Sequence, residues 1–486
     1  MDFLPITIKP MNLKRSNCSL FGSTIFVLLF CFFDCEIARA QAPEVLTFDV
    51  FKEMLGNHPS LRMAALSVDK GNQTMTKARG AFDPKVSGFY QNKFFQGTEY
   101  YDHTSIKIDI PLRAPLMITS GFENSAGAYF NPEEKTPNGG LINAGIALPL
   151  GQGLITDKNR TELNQAKAYQ RYASVEQNLL IQQLRYDAYK QYWEWWMSRQ
   201  ILDVNSEWVG IAEQRLVDTK NRFLAGDIAS IDTLETAIQV QNRKQKLQAA
   251  QAKWNKESLD LTSHLWRKNE LDFIPYESIG NSLPQRDVIY ESALSNTRVL
   301  ADRANNIHTT NPELLKYEPL LEQLRYEERW KKEMMKPVVN IHYNALNKAT
   351  DGSDEMLTFN NYKWGANISW PILMRKAKGD LGITRVKIEE TELEATQKRT
   401  TLRNKALAAI QQLELLRSQL EILTSNVNNM QRLLDAEREK FNSGESSVFL
   451  INTREQQLFD LRVQQTEVAA QLKLQEIEVQ FLFGEL

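Results

Sequence analysis

Apolar residues follow two different rhythms along this chain. In some stretches every second residue is apolar. Ile106, Ile108, Ile110 and Leu112 alternate with Lys107, Asp109 and Pro111, and Ile142, Ala144, Ile146, Leu148 and Leu150 alternate with Asn143, Gly145, Ala147 and Pro149. Val339, Ile341, Tyr343 and Ala345 repeat the rhythm, and so do Tyr362, Trp364, Ala366, Ile368 and Trp370. Period two with one apolar face predicts strands. Phe89–Phe95 and Met117–Tyr129 are weaker strand candidates, and Asn131–Gly140 is a turn region rich in Pro and Gly. Elsewhere the steps are four and three: Ala409, Leu413, Leu416, Leu420, Leu423, Val427, Met430 and Leu434 form a heptad seam.

Taken in order, these rhythms predict a short helix at Thr47–Leu55 and a helix over 60–79 that Pro59 opens and Asp83-Pro84 ends. Strands lie within 85–150. A long helix covers 154–224, roughly 105 Å at 1.5 Å per residue, and a return helix covers 228–266. A mixed segment, 267–310, holds a helix at Asp287–Ala304. Asn311-Pro312 opens a helix over 313–335, strands follow within 337–372 around a turn at Asp351–Asp354, and a second long helix covers 376–442. A last helix covers 447–483. The return helix 228–266 stacked on the helix 313–335 spans about what one long helix spans, with 267–310 as a belt at mid-height.

The order strands, long helix, glycine, return helix occurs twice. Leu216–Gly226 and Leu434–Gly444 align at one constant offset of 218 positions, matching Leu216 with Leu434, Lys220 with Arg438, Phe223 with Phe441 and Gly226 with Gly444. Glycine suits a left-handed residue that stops a helix, so each copy reads as the tip of a helical hairpin. The chain is internally duplicated, with a first repeat over 41–266 and a second over 311–486. The first repeat is longer between its strands. That extra length holds Ile106–Leu112 and Met117–Tyr129, a hairpin that either joins a barrel or caps it.

Composition narrows the reading. Among 486 residues, 42% are hydrophobic and 24% charged, and the net charge is −2. Phosphate binding needs a clustered basic surface, which this chain lacks, so no nucleic-acid partner is expected. Lys14 and Arg15 precede an apolar run from Leu20 to Phe33, and Ala38-Arg39-Ala40 is an A-x-A pattern. Residues 1–40 therefore read as a secretory signal peptide. Cys18, Cys31 and Cys35 are the only cysteines, and all lie inside it. Beyond residue 40 no run of 18 apolar residues occurs, so a spanning segment would have to be strands.

Catalytic chemistry finds no foothold. The histidines are His58, His103, His264, His308 and His342, with no H-E-x-x-H pair, no G-x-S-x-G and no P-loop. Neither metal nor cofactor is expected, and the protein reads as a non-enzyme. His342 sits on a strand as a pore-facing or structural polar residue. The aromatic run Tyr189, Tyr192, Trp193, Trp195 and Trp196 is read as bundle core at the belt, with a substrate-stacking platform as the other option.

With these features in place, the chain resembles the TolC-like outer-membrane efflux protein family over 44–483. The resemblance rests on Asn311-Pro312, on Leu148-Pro149-Leu150 with Gly151 and Gly153, and on Phe223-x-x-Gly226 with Phe441-x-x-Gly444. It implies an α+β membrane protein: a homotrimer whose long helices form a coiled-coil barrel in the periplasm and whose strands close one shared transmembrane β-barrel in outer-membrane lipid. It implies a passive export duct of a tripartite efflux or type I secretion system, docked to a periplasmic adaptor and an inner-membrane transporter. Phe223, Gly226, Phe441 and Gly444 match the adaptor-docking tips. Asp232 and Glu235 are candidates for an acidic entrance constriction, although Leu450 and Thr453 hold the matching places in the second repeat. Physics adds that too few strands occur per chain for a barrel of its own, and Tyr100, Tyr101, Tyr362, Trp364 and Trp370 are candidates for interfacial aromatics. The rival reading is an exported soluble coiled-coil scaffold.

One expectation concerns processing. The mature chain begins at Gln41 and carries no lipid, and intact-mass analysis of the purified protein checks it. A start at Cys31 or Cys35 with added acyl mass would refute it.

Overall fold

The computed structural model describes residues 45–268, 273–276, 283–284, 297–349 and 360–486. The signal segment, the turn at Asp351–Asp354 and most of the Asp287–Ala304 helix lie outside the described residues. The elements run β1 (Val45–Leu46), α1 (Phe48–Leu55), α2 (Pro59–Arg79), β2 (Lys85–Phe95), β3 (Thr98–Pro111), β4 (Met117–Ala126), β5 (Leu141–Pro149), α3 (Lys158–Leu224) and α4 (Ser230–Thr262). Then come β6 (Trp266–Lys268), β7 (Phe273–Pro275), β8 (Leu283–Pro284), α5 (Thr297–Asn305), α6 (Pro312–Leu315) and α7 (Tyr317–Glu333). The chain finishes with β9 (Val338–Lys348), β10 (Tyr362–Ser369), α8 (Arg375–Asn442) and α9 (Val448–Phe483).

Local chemistry explains the boundaries. Pro59 sits at the first position of α2, where its missing N–H costs nothing, and the His58 ring accepts from the Ser60 amide at 3.1 Å. Asp157 caps α3 by accepting from the Arg160 amide at 2.8 Å, so the helix starts at Lys158, four residues later than its apolar pattern suggests. The helix read as one piece over 313–335 is two, α6 and α7, separated by Lys316.

α3 and α8 run the full height, 67 and 68 residues, or about 100 Å each. α2 and α4 flank α3 on one side. α7 and α9 lie between α3 and α8. The expected stack of the return helix 228–266 on 313–335 is therefore incorrect. α4 meets α2 end to end, with the His264 and His58 rings 6.1 Å apart, and α9 meets α6, where the Asn311 side-chain Nδ2 donates to the Leu482 carbonyl at 2.8 Å. The sequence pattern gives helix lengths but not which ends abut, and both joints are made by contacts distant along the chain. Burial pushes His264 below its ordinary pKa, helped by the neighbouring His58, so this joint is built on neutral rings.

The heptad seam behaves as its spacing requires. Ala409, Leu413, Leu416, Leu420, Leu423 and Leu434 are buried, and Val427 and Met430 pack partly buried against the same wall. At mid-height the aromatic run is core. Trp195, Trp196 and Tyr192 are buried with Phe51, Leu46 and Leu261. The Tyr192 hydroxyl donates to the Leu46 carbonyl at 2.9 Å, which satisfies its one buried polar atom.

Beyond the upper helix ends lies one six-stranded sheet of order β10-β9-β5-β4-β3-β2, antiparallel throughout. The extra hairpin of the first repeat is thus part of the sheet. Directly paired residues share a face, so the register sorts the two faces. One row across all six strands reads Val86, Ile108, Ser120, Ala144, Ala345, Tyr362, and a neighbouring row adds Ile110, Ile118, Ile146, Tyr343 and Trp364. The opposite face carries Lys85, Asp109, Thr119, Gly145, Asn344 and Lys363. On that face Thr119 donates to Asn344 at 3.1 Å across the bare Gly145, and His103 bonds Glu123 at 3.2 Å. Tyr362 and Trp364 lie on the apolar face as interfacial aromatics should. Tyr101 pairs with Lys93 and belongs to the polar face instead, because its parity in β3 is that of His103 and Lys107.

Sheet and helices join tightly. The Leu150 amide donates to the Val339 carbonyl at 2.7 Å and the Gln152 amide to the Pro337 carbonyl at 2.8 Å. A Cβ on Gly151 would lie 2.0 Å from the Pro337 oxygen, so only glycine lets the two repeats close here.

Candidate functional site

The far ends of the helices, away from the sheet, bring the two hairpin tips together. At the first, the Gly226 amide donates to the Phe223 carbonyl at 3.0 Å and the Asp227 amide to the Arg222 carbonyl at 3.0 Å. At the second, Gly444 donates to Phe441 at 3.1 Å and Glu445 to Lys440 at 2.9 Å. These paired bonds satisfy the last helical carbonyls, and they require the left-handed backbone that Gly226 (φ 85°) and Gly444 (φ 80°) adopt. A side chain at either glycine would project into open space.

The two tips touch. The Arg222 guanidinium lies 4.4 Å from the Phe441 ring centroid. Phe441 is half-buried by this contact, whereas Phe223 is exposed, as are Leu224, Ile231, Leu234 and Phe449. The duplicated phenylalanines therefore differ: one holds the tips together and the other faces outward.

The candidate entrance carboxylates both have partners within the chain. Asp232 accepts from the Ala229 amide at 3.2 Å and closes the first turn of α4, where an acid also meets the positive end of the helix dipole. Glu235 accepts from the Asn452 side chain at 3.2 Å, linking α4 to α9. The second tip caps its restart differently, with Ser447 Oγ accepting from the Leu450 amide at 3.3 Å.

Just above the tips lies a charge network absent from the sequence reading. Glu455 on α9 is buried, its side chain 8% exposed. It accepts from Arg438 of α8 at 2.9 Å and from Arg215 of α3. Burial pushes the Arg215 guanidinium below its ordinary pKa, opposed by the charge of Glu455. Nearby, buried Arg243 on α4 lies 4.1 Å from the Phe459 ring centroid. A signal for the network exists. At the offset of 218, Arg215 matches Leu433 and Glu455 matches Ala237, so each charge stands where the other repeat is apolar. Among the described residues no cluster of His, Cys, Asp or Glu could hold a metal ion, and no helix is long and apolar enough to cross a membrane.

This architecture, an antiparallel sheet with one apolar face at the end of a bundle of very long helices, has counterparts. Residues 305–485 match the model of the family described as Outer membrane efflux protein. Among solved structures, the outer-membrane channel OprN superposes with a TM-score of 0.64 at 12% identity, covering 92% of this chain and 94% of its own. The Campylobacter jejuni CmeC outer membrane channel gives 0.61 at 11% identity, covering 90% and 85%. The outer membrane protein VceC of Vibrio cholerae gives 0.62 at 10%, covering 89% and 96%. No curated protein matches the sequence. The resemblance read from the sequence is borne out. The second repeat is an outer membrane efflux protein domain, and the whole chain has the fold of the outer-membrane efflux channels. That fold joins an antiparallel sheet to a long helical domain.

The network at the tips gives a testable consequence. Glu455→Gln removes the acid that Arg215 and Arg438 share among the described residues. The loss should be about 2 kcal/mol locally, below the cost of breaking a fully buried pair because Arg438 is partly exposed. Hydrogen exchange at the tip amides should accelerate about thirty-fold. Unchanged exchange there would show that the network contributes nothing to tip stability.

Proposed function

We propose that three copies of this chain form a passive export duct of a tripartite efflux or type I secretion system, with the Gly226 and Gly444 tips docked to a periplasmic adaptor that links the duct to an inner-membrane transporter. The observation that carries the reading is the pair of open sheet edges. Among the described residues β2 and β10 each have a partner on one side only, and hydrocarbon does not tolerate unpaired strand edges. Six strands fall short of the smallest membrane barrels, which have eight. With an even number of alternating strands, β10 of one copy meets β2 of the next antiparallel, so a ring of copies closes without a mismatch. The soluble-scaffold alternative would leave Val86, Ile146 and Trp364 facing water.

At the tips, bare glycines and exposed Phe223, Leu224 and Phe449 offer a partner helix close approach and apolar contact. Gly226→Leu with Gly444→Leu should abolish export while trimers persist in the outer membrane. Gly226→Ala with Gly444→Ala carries the same left-handed strain, about 1–2 kcal/mol per site, without the bulk, and should retain export. Loss of trimers in the leucine variant, or equal loss of export in both variants, would assign the glycines to folding instead.

The acids give a second test. In a trimer, three Asp232 and three Glu235 side chains converge on one axis, and an acidic ring favours cations. The channel should be cation-selective in a planar bilayer and blocked by multivalent cations from the periplasmic side. Asp232→Asn with Glu235→Gln keeps an acceptor for the Ala229 amide and for Asn452, so the fold should persist while the block weakens. Undiminished block would place the constriction elsewhere.

A further inference from the structure

The hairpin β3–β4 is the feature that the duplication does not explain. Remove it and the remaining strands follow the helices one for one. The sheet order β10, β9, β5, β2 matches the upper helix order α8, α7, α3, α2, each strand continuing its own helix. β3 and β4 are thus two additional strands inserted between the attachment points of α2 and α3.

Width gives them a purpose. Four neighbouring helices at 8–10 Å occupy roughly 32–40 Å of wall. Four strands spaced about 4.8 Å and tilted 35–45° would cover only about 25 Å. Six strands cover roughly 35–40 Å at the same spacing and tilt. With the hairpin, the sheet is as wide as the helices it stands on.

The hairpin is also built as wall. It continues both faces of the sheet without a break: Ile106, Ile108 and Ile118 carry the apolar side, and Lys107, Asp109 and Thr119 the polar side. Its strands of 14 and 10 residues are long enough to cross a bilayer at the usual tilt. A cap folded over or into a barrel would have no reason to keep an apolar row in register with Ile146 and Val86.

We infer that the β3–β4 hairpin is transmembrane wall, so that three copies close an 18-stranded barrel about 35 Å across between backbones, with β2 of each copy paired to β10 of the next. The inference rests on the trimeric channel proposed above. Its functional meaning is that the duct does not narrow at the membrane. Barrels of 16–18 strands enclose an aqueous channel, so nanometre-sized solutes that pass the helical tunnel meet no tighter collar in the bilayer. The polar face, with Lys85, Lys107 and Lys363, lines that opening.

Cysteine scanning tests the placement cleanly, because the native cysteines all precede residue 36. Single cysteines at Ser105, Ile106, Lys107 and Ile108 are treated in outer membranes with a membrane-impermeant maleimide, and the same protein in lipid nanodiscs is viewed end-on by electron microscopy. The inference expects label at 105 and 107, protection at 106 and 108, and a ring about 35 Å wide. Trimers with a ring near 24 Å and no alternation in labelling would overturn the hairpin's role and leave the channel reading standing. The absence of any closed ring would overturn both.

Discussion

Strand edges cannot stay open in hydrocarbon. Each backbone N–H or C=O along β2 and β10 that faces lipid without a partner costs several kcal/mol, and among the described residues both strands have a free edge in the single chain. In the proposed trimer another copy supplies the missing partners. β2 and β10 lie at opposite ends of one sheet and run in opposite directions, which lets identical chains join in a ring. The apolar rows extend to both edges, Val86 at one and Tyr362 at the other, so lipid is met by a continuous surface after closure.

In the proposed trimer that closure sets the demands on the helices. Along this wall α3 and α8 are unbroken, and the other two positions are filled by shorter helices stacked end to end. The joints are different solutions to one problem, how to end one helix against another without orphaned groups. At α4–α2 the neutral His58 and His264 rings lie close together. At α9–α6 the Asn311 side chain bonds a terminal carbonyl of α9 and its oxygen caps α6 through the Glu313 amide. Beside the first joint, the belt of Trp195, Trp196 and Tyr192 gives these slender helices their widest apolar contact.

The tips show how a duplicated chain becomes asymmetric. Both use glycine in the same left-handed cap, but the first restarts with Asp232 and the second with Ser447. Arg215 and Glu455 replace apolar counterparts, and their pairing binds α3 to α9, one helix from each repeat. The aligned segments form two similar hairpins. The unmatched charges, Arg215 from one and Glu455 from the other, pair across them.

Periodicity alone revealed a great deal here. The heptads of α8, the alternation in β3, β5, β9 and β10, the glycine tips and the internal offset are all local. Each follows from how a few neighbouring side chains sort between apolar and polar surroundings. The resemblance that rested on them led to the right architecture. Pairings between distant segments were another matter. That α4 abuts α2 and not α7, that β3–β4 lies in the sheet, that Tyr101 faces the polar side and that Glu455 collects two arginines depend on contacts between residues far apart along the chain. Asp232 and Glu235 were visible as acids near a tip, but that Glu235 bonds Asn452 was fixed only by the packing of α9 against α4. Sequence patterns record which face of an element is buried. Which element buries it is decided by packing and backbone pairing in three dimensions, and the tertiary structure alone supplies that.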